Sequence, residues 1–192
     1  GDRADDLERI AMNFGPENIA ACIVEPIAGS TGTLVPPKGY LQKLRDICDK
    51  HGILLIFDEV ITGWGRTGSS FASIEYGVTP DIMTMAKATT NGVVPMGVVA
   101  CKDEIYDSVM DASPMGSVEL FHGYTYSGIP VAVAAALAVQ DIFEKEDIFN
   151  RAKNLAPYFQ KGLFSLQDLE SVENIRGYGM MGGIDMKLNT KP

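Results

Sequence analysis

One segment constrains the fold of this chain more than any other. At residues 53–57 five strongly apolar residues, Ile-Leu-Leu-Ile-Phe, run directly into Asp58 and Glu59. A short run that is apolar on both faces is typical of a strand buried in a parallel sheet. A carboxylate straight after such a strand is poorly solvated and needs a cationic or hydrogen-bonding partner. The segment therefore predicts a buried strand with a chemically distinctive group at its end.

Three further segments predict strands of the same kind. Residues 19–24 are continuously apolar and end at Glu25, and residues 81–86 are mostly apolar and end at Lys87. Residues 96–101 form the fourth predicted strand.

Helical patterns alternate with these strands. The predicted helices cover residues 3–14, 40–50, 130–144 and about 150–166. Residues 111–129 are predicted as a loop, and residues 173–186 as a strand with a glycine turn at Gly177 and Gly179. Alternation of this kind favours an α/β fold, an open and mostly parallel sheet with helices on both faces.

The ends of the first three strands predict a functional site. Ligands of open α/β sheets bind outside the carboxyl ends of the strands, so Glu25, Asp58 and Lys87 are expected at one rim. A carboxylate and a desolvated, neutral amine are what pyridoxal 5'-phosphate requires: the amine bonds to its aldehyde and the carboxylate keeps its pyridine nitrogen protonated. Taken singly, Asp58 also fits a helix cap or salt bridge, and Lys87 a surface lysine.

A longer pattern around these residues resembles the class III pyridoxal-phosphate-dependent aminotransferase signature. The 29-residue step from Asp58 to Lys87 fits that signature. The matching residues are 24–29, 36–40, 56–60, 63, 65–68, 81–83, 86–87, 91–92, 95–97 and 122–128. Segment 122–128 is most similar to the omega-amino acid–pyruvate (beta-alanine–pyruvate) branch. Ser30 and Ile61 stand where the ornithine and 4-aminobutyrate branches usually carry an acidic residue and a glutamine, which favours the same branch.

The resemblance implies roles for individual residues. Lys87 matches the lysine that bonds to the cofactor and moves a proton at the substrate carbon, and Asp58 matches the partner of the pyridine nitrogen. Val60 matches the apolar residue packed on one ring face, and Thr125 the threonine that reaches the cofactor phosphate of the other subunit in the family dimer. Glu25 matches an acidic residue near the cofactor, with a fold-stabilising hydrogen-bond network as the alternative. The alternative for Thr125 is a cap near the following helix.

The resemblance also implies an architecture. We expect part of the fold-type-I large domain over residues 1–145, with the fourth strand antiparallel at one edge, and a linking helix with the start of a C-terminal α/β domain over residues 146–192. Family members are more than twice as long, so the chain, which begins with Gly1, is expected to be a central fragment or to have a processed start. The fragment alone is expected to be inactive.

Two other functions stay open. Decarboxylases and aminomutases of the same family share Lys87 and Asp58, and the chain could instead be a non-catalytic sheet or oligomerisation module. A dinucleotide loop is disfavoured because residues 63–65 lack the required spacing. Arg66 and His122 are expected to be structural or interface residues rather than a substrate clamp and a catalytic base, and Trp64 either lines the site entrance or packs.

The composition and charge exclude several classes of protein and of binding partner. With 46% hydrophobic and 21% charged residues, the chain is neither disordered nor a coiled coil. A net charge of −9 without a basic tract disfavours nucleic acid. The three cysteines lack CxxC spacing and lie in apolar segments, so we predict buried free thiols, no metal site and a reducing compartment. No apolar run spans a membrane and no signal peptide is recognised. We therefore expect a cytoplasmic protein. The resemblance implies a homodimer or higher homo-oligomer that binds an amino donor and a 2-oxo acid.

Overall fold

A four-stranded sheet with the order β1-β2-β3-β4 organises the first half of the chain. The computed structural model describes residues 2–115, 120 and 122–187. The strands are β1 (Ala21–Val24), β2 (Leu54–Asp58), β3 (Ile82–Met85) and β4 (Val98–Cys101). The first three are parallel and β4 is antiparallel to β3. The predicted α/β class and the antiparallel edge strand are both confirmed.

Six α-helices accompany the strands within the described residues. They are α1 (Asp5–Phe14), α2 (Tyr40–His51), α3 (Ala72–Tyr76), α4 (Asp103–Asp111), α5 (Pro130–Lys145) and α6 (Ile148–Phe164). Four of them follow the predicted periodicity. The sequence did not predict α3, which has only five residues, or α4, which buries none of its residues.

The main core lies between β2 and the first two helices. Leu55 and Phe57 of β2 are completely buried, because alternate side chains of a strand point to opposite faces. Leu44 and Cys48 of α2 and Ala11 of α1 pack against them. Asp58, the next residue of β2, consequently faces away from this core.

A hairpin of two antiparallel strands ends the described chain. Its strands are β5 (Val172–Tyr178) and β6 (Met181–Met186). The predicted glycine turn is correct for Gly179 and wrong for Gly177, which lies inside β5 and pairs with Gly182. The hairpin contacts the first half of the chain: the Met180 N–H donates to the Arg66 carbonyl at 2.8 Å, and Arg176 Nε donates to the Gly32 carbonyl at 2.7 Å.

The cysteines correct one prediction. All three are free thiols, and Cys48 is buried, but Cys22 is only half-buried and Cys101 is exposed. Cys101 is the last residue of β4, an edge strand with one side unpaired in the described sheet, so the apolar segment around it does not bury it.

The length and apolar character of a helix decide whether it can cross a membrane. Across residues 2–115, 120 and 122–187, no helix has both the length and the apolar character needed to cross a membrane.

Candidate functional site at the carboxyl rim of the sheet

The structure brings three predicted site residues to one edge of the sheet. Val24 pairs with Phe57, and Asp58 pairs with Thr84, in parallel register. Glu25 directly follows β1, Asp58 ends β2, and Lys87 lies two residues beyond β3. Because the three strands are parallel, these residues stand at the same carboxyl rim, as predicted.

Asp58 is half-buried and only partly engaged by the protein. Its Oδ1 accepts a hydrogen bond from the Val60 N–H at 3.0 Å. Within the described part of the chain, no hydrogen bond or ion pair engages its Oδ2. The local turn thus fixes the carboxylate through one oxygen and leaves the other available to a donor from a ligand.

Lys87 occupies a strained backbone position. Its φ is +48°, a left-handed conformation that costs a non-glycine residue about 1–2 kcal/mol. It begins a short 3-10 turn at Lys87–Thr89 rather than continuing the strand. The predicted desolvation is therefore wrong, because the turn carries Lys87 out of the sheet and leaves the residue exposed. Among the described residues its amine has no hydrogen-bond or ion-pair partner.

Glu25 and Val60 are both half-buried at the rim. Glu25 Oε2 accepts a hydrogen bond from the Gly29 N–H at 2.9 Å and so braces the loop after β1. This contact supports a structural role for Glu25, and a role near a cofactor stays a prediction. Val60 follows the rim carboxylates directly, with its backbone held by Asp58.

Thr125 lies apart from the rim residues in the contacts that the structure describes. It is exposed in a turn closed by the Ser127 N–H and the Tyr124 carbonyl at 2.9 Å. It does not cap α5, whose first N–H groups bond instead to the Ile129 carbonyl. A cavity of about 330 Å³ lies beside this turn, lined by Met96, Ser127 and other residues of the two facing loops. The assignment of Thr125 to a partner subunit's cofactor stays a prediction.

The residues expected to be structural behave that way. Arg66 donates from Nη1 to the Ile61 carbonyl at 3.1 Å, inside its own loop, and burial lowers the pKa of its guanidinium. His122 is exposed and stacks on Tyr124 with ring centroids 4.0 Å apart. Trp64 is half-buried and packs against Phe71 and Phe143, and a place at the site entrance stays a prediction.

Sequence reasoning missed the role of Glu59. Its carboxylate is completely buried and accepts hydrogen bonds from the Ala72 N–H (2.7 Å), the Ser73 N–H (2.8 Å) and the Thr62 hydroxyl (3.0 Å). Glu59 therefore accepts hydrogen bonds from the first N–H groups of α3, although it lies thirteen residues before that helix. These bonds close the loop after Asp58. Its place beside Asp58 was the only sequence signal, and the donors that define its role are not local.

The arrangement of strands, helices and hairpin matches solved transaminases. A thermostable (S)-enantioselective omega-transaminase from Thermomicrobium roseum superposes with a TM-score of 0.90 at 42% identity, covering 96% of this chain and 40% of that chain. A second structure, described as a transaminase with L-ala, gives a TM-score of 0.90 at 38% identity, over 96% of this chain and 43% of that one. These matches confirm the fold-type-I assignment.

The sequence profile of the aminotransferase class-III family matches residues 3–191, and the chain belongs to that family. It is 54% identical to an omega-aminotransferase of Caulobacter vibrioides, over 96% of this chain and 42% of the relative. It is 52% identical to a beta-alanine–pyruvate aminotransferase of Pseudomonas aeruginosa, over 95% and 41%. The chain thus spans about two fifths of the length of these curated relatives.

Proposed function

We propose that this chain is the lysine-bearing part of a pyridoxal-phosphate-dependent aminotransferase that moves an amino group from an omega-amino acid or amine to pyruvate. The observation that carries the proposal is that Asp58 and Lys87 lie at the same carboxyl rim of the sheet. The described residues leave Oδ2 of Asp58 and the amine of Lys87 without a partner. The names of the similar proteins support the reaction class and the acceptor.

The described residues fit pyridoxal 5'-phosphate. When bound, this group supplies an aldehyde carbon and an electron-accepting pyridine ring. Lys87 would hold it covalently through Nζ and move the proton at the carbon that bears the amine. Asp58 would keep a proton on the pyridine nitrogen, since an ionised carboxylate favours a cation beside it. Val60 would pack against the ring, and Thr125 would contact the phosphate of a partner subunit.

The dimer belongs to the same proposal. A threonine that serves the neighbouring cofactor requires at least two copies of the protein, so we propose a homodimer or higher homo-oligomer. Its substrates, an amino donor and a 2-oxo acid, are small metabolites, and the cytoplasm is the proposed location.

A chimeric enzyme tests this function. Residues 3–191 would replace the matching segment of the Caulobacter vibrioides omega-aminotransferase, and alanine formed from pyruvate and beta-alanine would be measured. The chimera should transaminate. Lys87→Ala and Asp58→Asn should each reduce the rate by about 10²-fold or more, the loss typical of a displaced proton-transfer group. The exposed Lys161→Ala is the matched control and should leave the rate unchanged.

The products of the chimera separate the alternatives. Carbon dioxide or an isomerised amino acid, without alanine, would identify a decarboxylase or an aminomutase. A folded chimera with no reaction of any kind would favour a non-catalytic module. Near-normal transamination by the Lys87→Ala chimera would remove Lys87 from its role.

A further inference from the structure

The backbone carbonyl before Lys87 is held by Thr89, two residues further along the chain. The Ala86 carbonyl accepts two hydrogen bonds from Thr89, one from its N–H at 3.1 Å and one from its hydroxyl at 3.0 Å. Thr89 is almost completely buried, so neither bond competes with bulk water. A strained residue such as Lys87 persists only where its surroundings over-determine it, and these two bonds are part of that restraint.

Trp64 completes the restraint from the glycine-rich segment 63–68. Its indole Nε1–H donates to the Thr89 hydroxyl at 3.0 Å. The hydroxyl therefore accepts from Trp64 and donates to Ala86, so its single proton is directed at the carbonyl that precedes Lys87. The three groups form a relay from Trp64 through Thr89 to Ala86.

The indole also packs against two aromatic rings. Its ring lies 5.0 Å from Phe71 and 5.8 Å from Phe143, centroid to centroid. Its backbone is also left-handed, with φ of +63°, and its N–H donates to the Ser70 carbonyl at 2.6 Å. We assign the positioning of the indole N–H to this backbone hydrogen bond and to the bond with Thr89, and we assign the stability of the segment to the ring packing.

We propose that Trp64 and Thr89 are positioning residues that hold the strained Lys87 turn and aim its amine at the carboxyl rim. The proposal rests on the proposed function only in taking Lys87 as the reactive group. All three members of the relay are uncharged, so they act through geometry and not through charge. The hydrogen bond and the packing of Trp64 are separable, which makes the proposal testable.

Variants of the 192-residue chain separate the two contributions. Trp64→Phe keeps an aromatic ring between Phe71 and Phe143 and removes the donor. Thr89→Val keeps the shape of the side chain and removes its hydroxyl. Thr89→Ser is the conservative variant that keeps the hydroxyl. Phe143→Leu disturbs the packing and leaves the relay intact. Each variant would be treated with pyridoxal 5'-phosphate, reduced with borohydride and peptide-mapped, with labelling of Lys87 measured relative to the exposed Lys161 in the same sample.

The expected result is specific to the relay. Trp64→Phe and Thr89→Val should each lower the Lys87-to-Lys161 labelling ratio about threefold to tenfold, the effect of one lost hydrogen bond. The double variant should be no worse than Thr89→Val, because both changes break one relay. Thr89→Ser should recover the ratio, and Phe143→Leu should lower the urea midpoint without changing the ratio. Where Lys87 labels faster than Lys161 in the unsubstituted chain, equal ratios in all variants, or an equal loss in Phe143→Leu, would overturn the proposal.

A second readout keeps this test independent of the proposed function. Lys87 that labels no faster than Lys161 in the unsubstituted chain would count against the proposed function alone. The relay is then judged by NMR, from the coupling that reports φ of Lys87 and from the indole N–H signal of Trp64, the sole tryptophan. Thr89→Val should change both signals, and Phe143→Leu should leave the coupling unchanged. An unchanged coupling in Thr89→Val would overturn the positioning role.

Discussion

Asp81 ties several elements together at the end of the sheet opposite to the rim. Its Oδ2 accepts a hydrogen bond from the Leu55 N–H at 2.7 Å and pairs with Arg45 Nη1 at 2.8 Å, while its Oδ1 pairs with Lys102 Nζ at 2.7 Å. The side chains of Asp81 and Arg45 are 8% and 12% exposed, so this pair is largely shielded from water. One carboxylate thus connects the starts of β2 and β3, α2 and the residue after β4.

Replacing this carboxylate should destabilise the protein. Asp81→Asn removes the shielded one of the two carboxylates that pair with Arg45 and leaves only the exposed Asp49. Breaking a shielded pair of this kind costs about 3 kcal/mol in the free energy of unfolding. Urea unfolding measures the loss. The control is Asp141→Asn, which breaks an exposed pair with Lys145 and should cost under about 0.5 kcal/mol. Equal losses in the two variants would contradict the role given to Asp81.

The Asp81 carboxylate should also make the free energy of unfolding depend on pH. Burial raises the pKa of the Asp81 carboxyl, but hydrogen bonds from Lys102, the Leu55 backbone and Arg45 outweigh it and hold the pKa below its usual value. The unfolded value is about 3.9, so the stabilisation is fully present above about pH 4. It is lost as the pH falls through the folded-state pKa. The stability difference between the unsubstituted chain and Asp81→Asn should therefore shrink below pH 4, and a constant difference down to pH 2.5 would contradict this.

At the residue scale, the sequence predicted the positions of the functional side chains better than their contacts. Asp58 and Lys87 were found because each follows an apolar strand, a signal contained in a few adjacent residues. The bonds of Glu59 to Ala72 and Ser73 depend on how a distant loop folds back. The exposure of Lys87 likewise depends on a left-handed turn that no adjacent residue indicates.

At the scale of elements, the hairpin shows why one predicted turn was misplaced. Gly177 looks like a turn residue, but a Cβ there would clash with Gln160 Oε1 and lie 2.9 Å from Leu163 Cδ2. Its paired residue Gly182 is crowded by Leu163 in the same way, at 2.6 Å. These glycines let α6 approach the hairpin closely, a tertiary requirement that leaves no local pattern. The four strands of the main sheet were predictable because their apolar runs are local.

Gly179 is the position where the hairpin depends most on glycine. Its φ is +58°, and a Cβ there would lie 2.5 Å from the Arg66 carbonyl oxygen. Gly179→Ala should lower the free energy of unfolding by about 2 kcal/mol or more, since both the backbone strain and the clash must be relieved. Urea unfolding and hydrogen exchange of the Met180 amide would measure the effect.

Gly162 supplies the matched control. It lies inside α6, and a Cβ added there would meet no atom within 4 Å, so Gly162→Ala should stabilise the chain by about 1 kcal/mol. A destabilising Gly162→Ala, or a neutral Gly179→Ala, would contradict this explanation of how the hairpin is seated.

At the scale of the whole molecule, both outer strands of the main sheet are apolar, and among the described residues no strand pairs with their outer edges. Ile23 of β1 is 62% exposed and Val99 of β4 is 67% exposed. Exposed apolar edge strands template association with another chain. The proposed division at residues 145 and 146 stays a prediction, because the contacts of α6 with the hairpin do not by themselves define a domain boundary.

The open edges predict that the 192-residue chain self-associates. Sedimentation should show a mass that rises with concentration, and Ile23→Lys should weaken the association at least about tenfold, the loss expected when a buried apolar side chain is replaced. Met12→Lys, at an exposed apolar position of α1, is the control and should not change it. A monomer at every concentration would contradict the prediction.

A crystal structure of the chain after treatment with pyridoxal 5'-phosphate and borohydride tests the central claim most directly. We predict a phosphopyridoxyl group on Lys87 Nζ, with the pyridine nitrogen about 3 Å from a carboxylate oxygen of Asp58. A group attached to a different lysine, or a ring on Lys87 whose nitrogen makes no contact with Asp58, would contradict it.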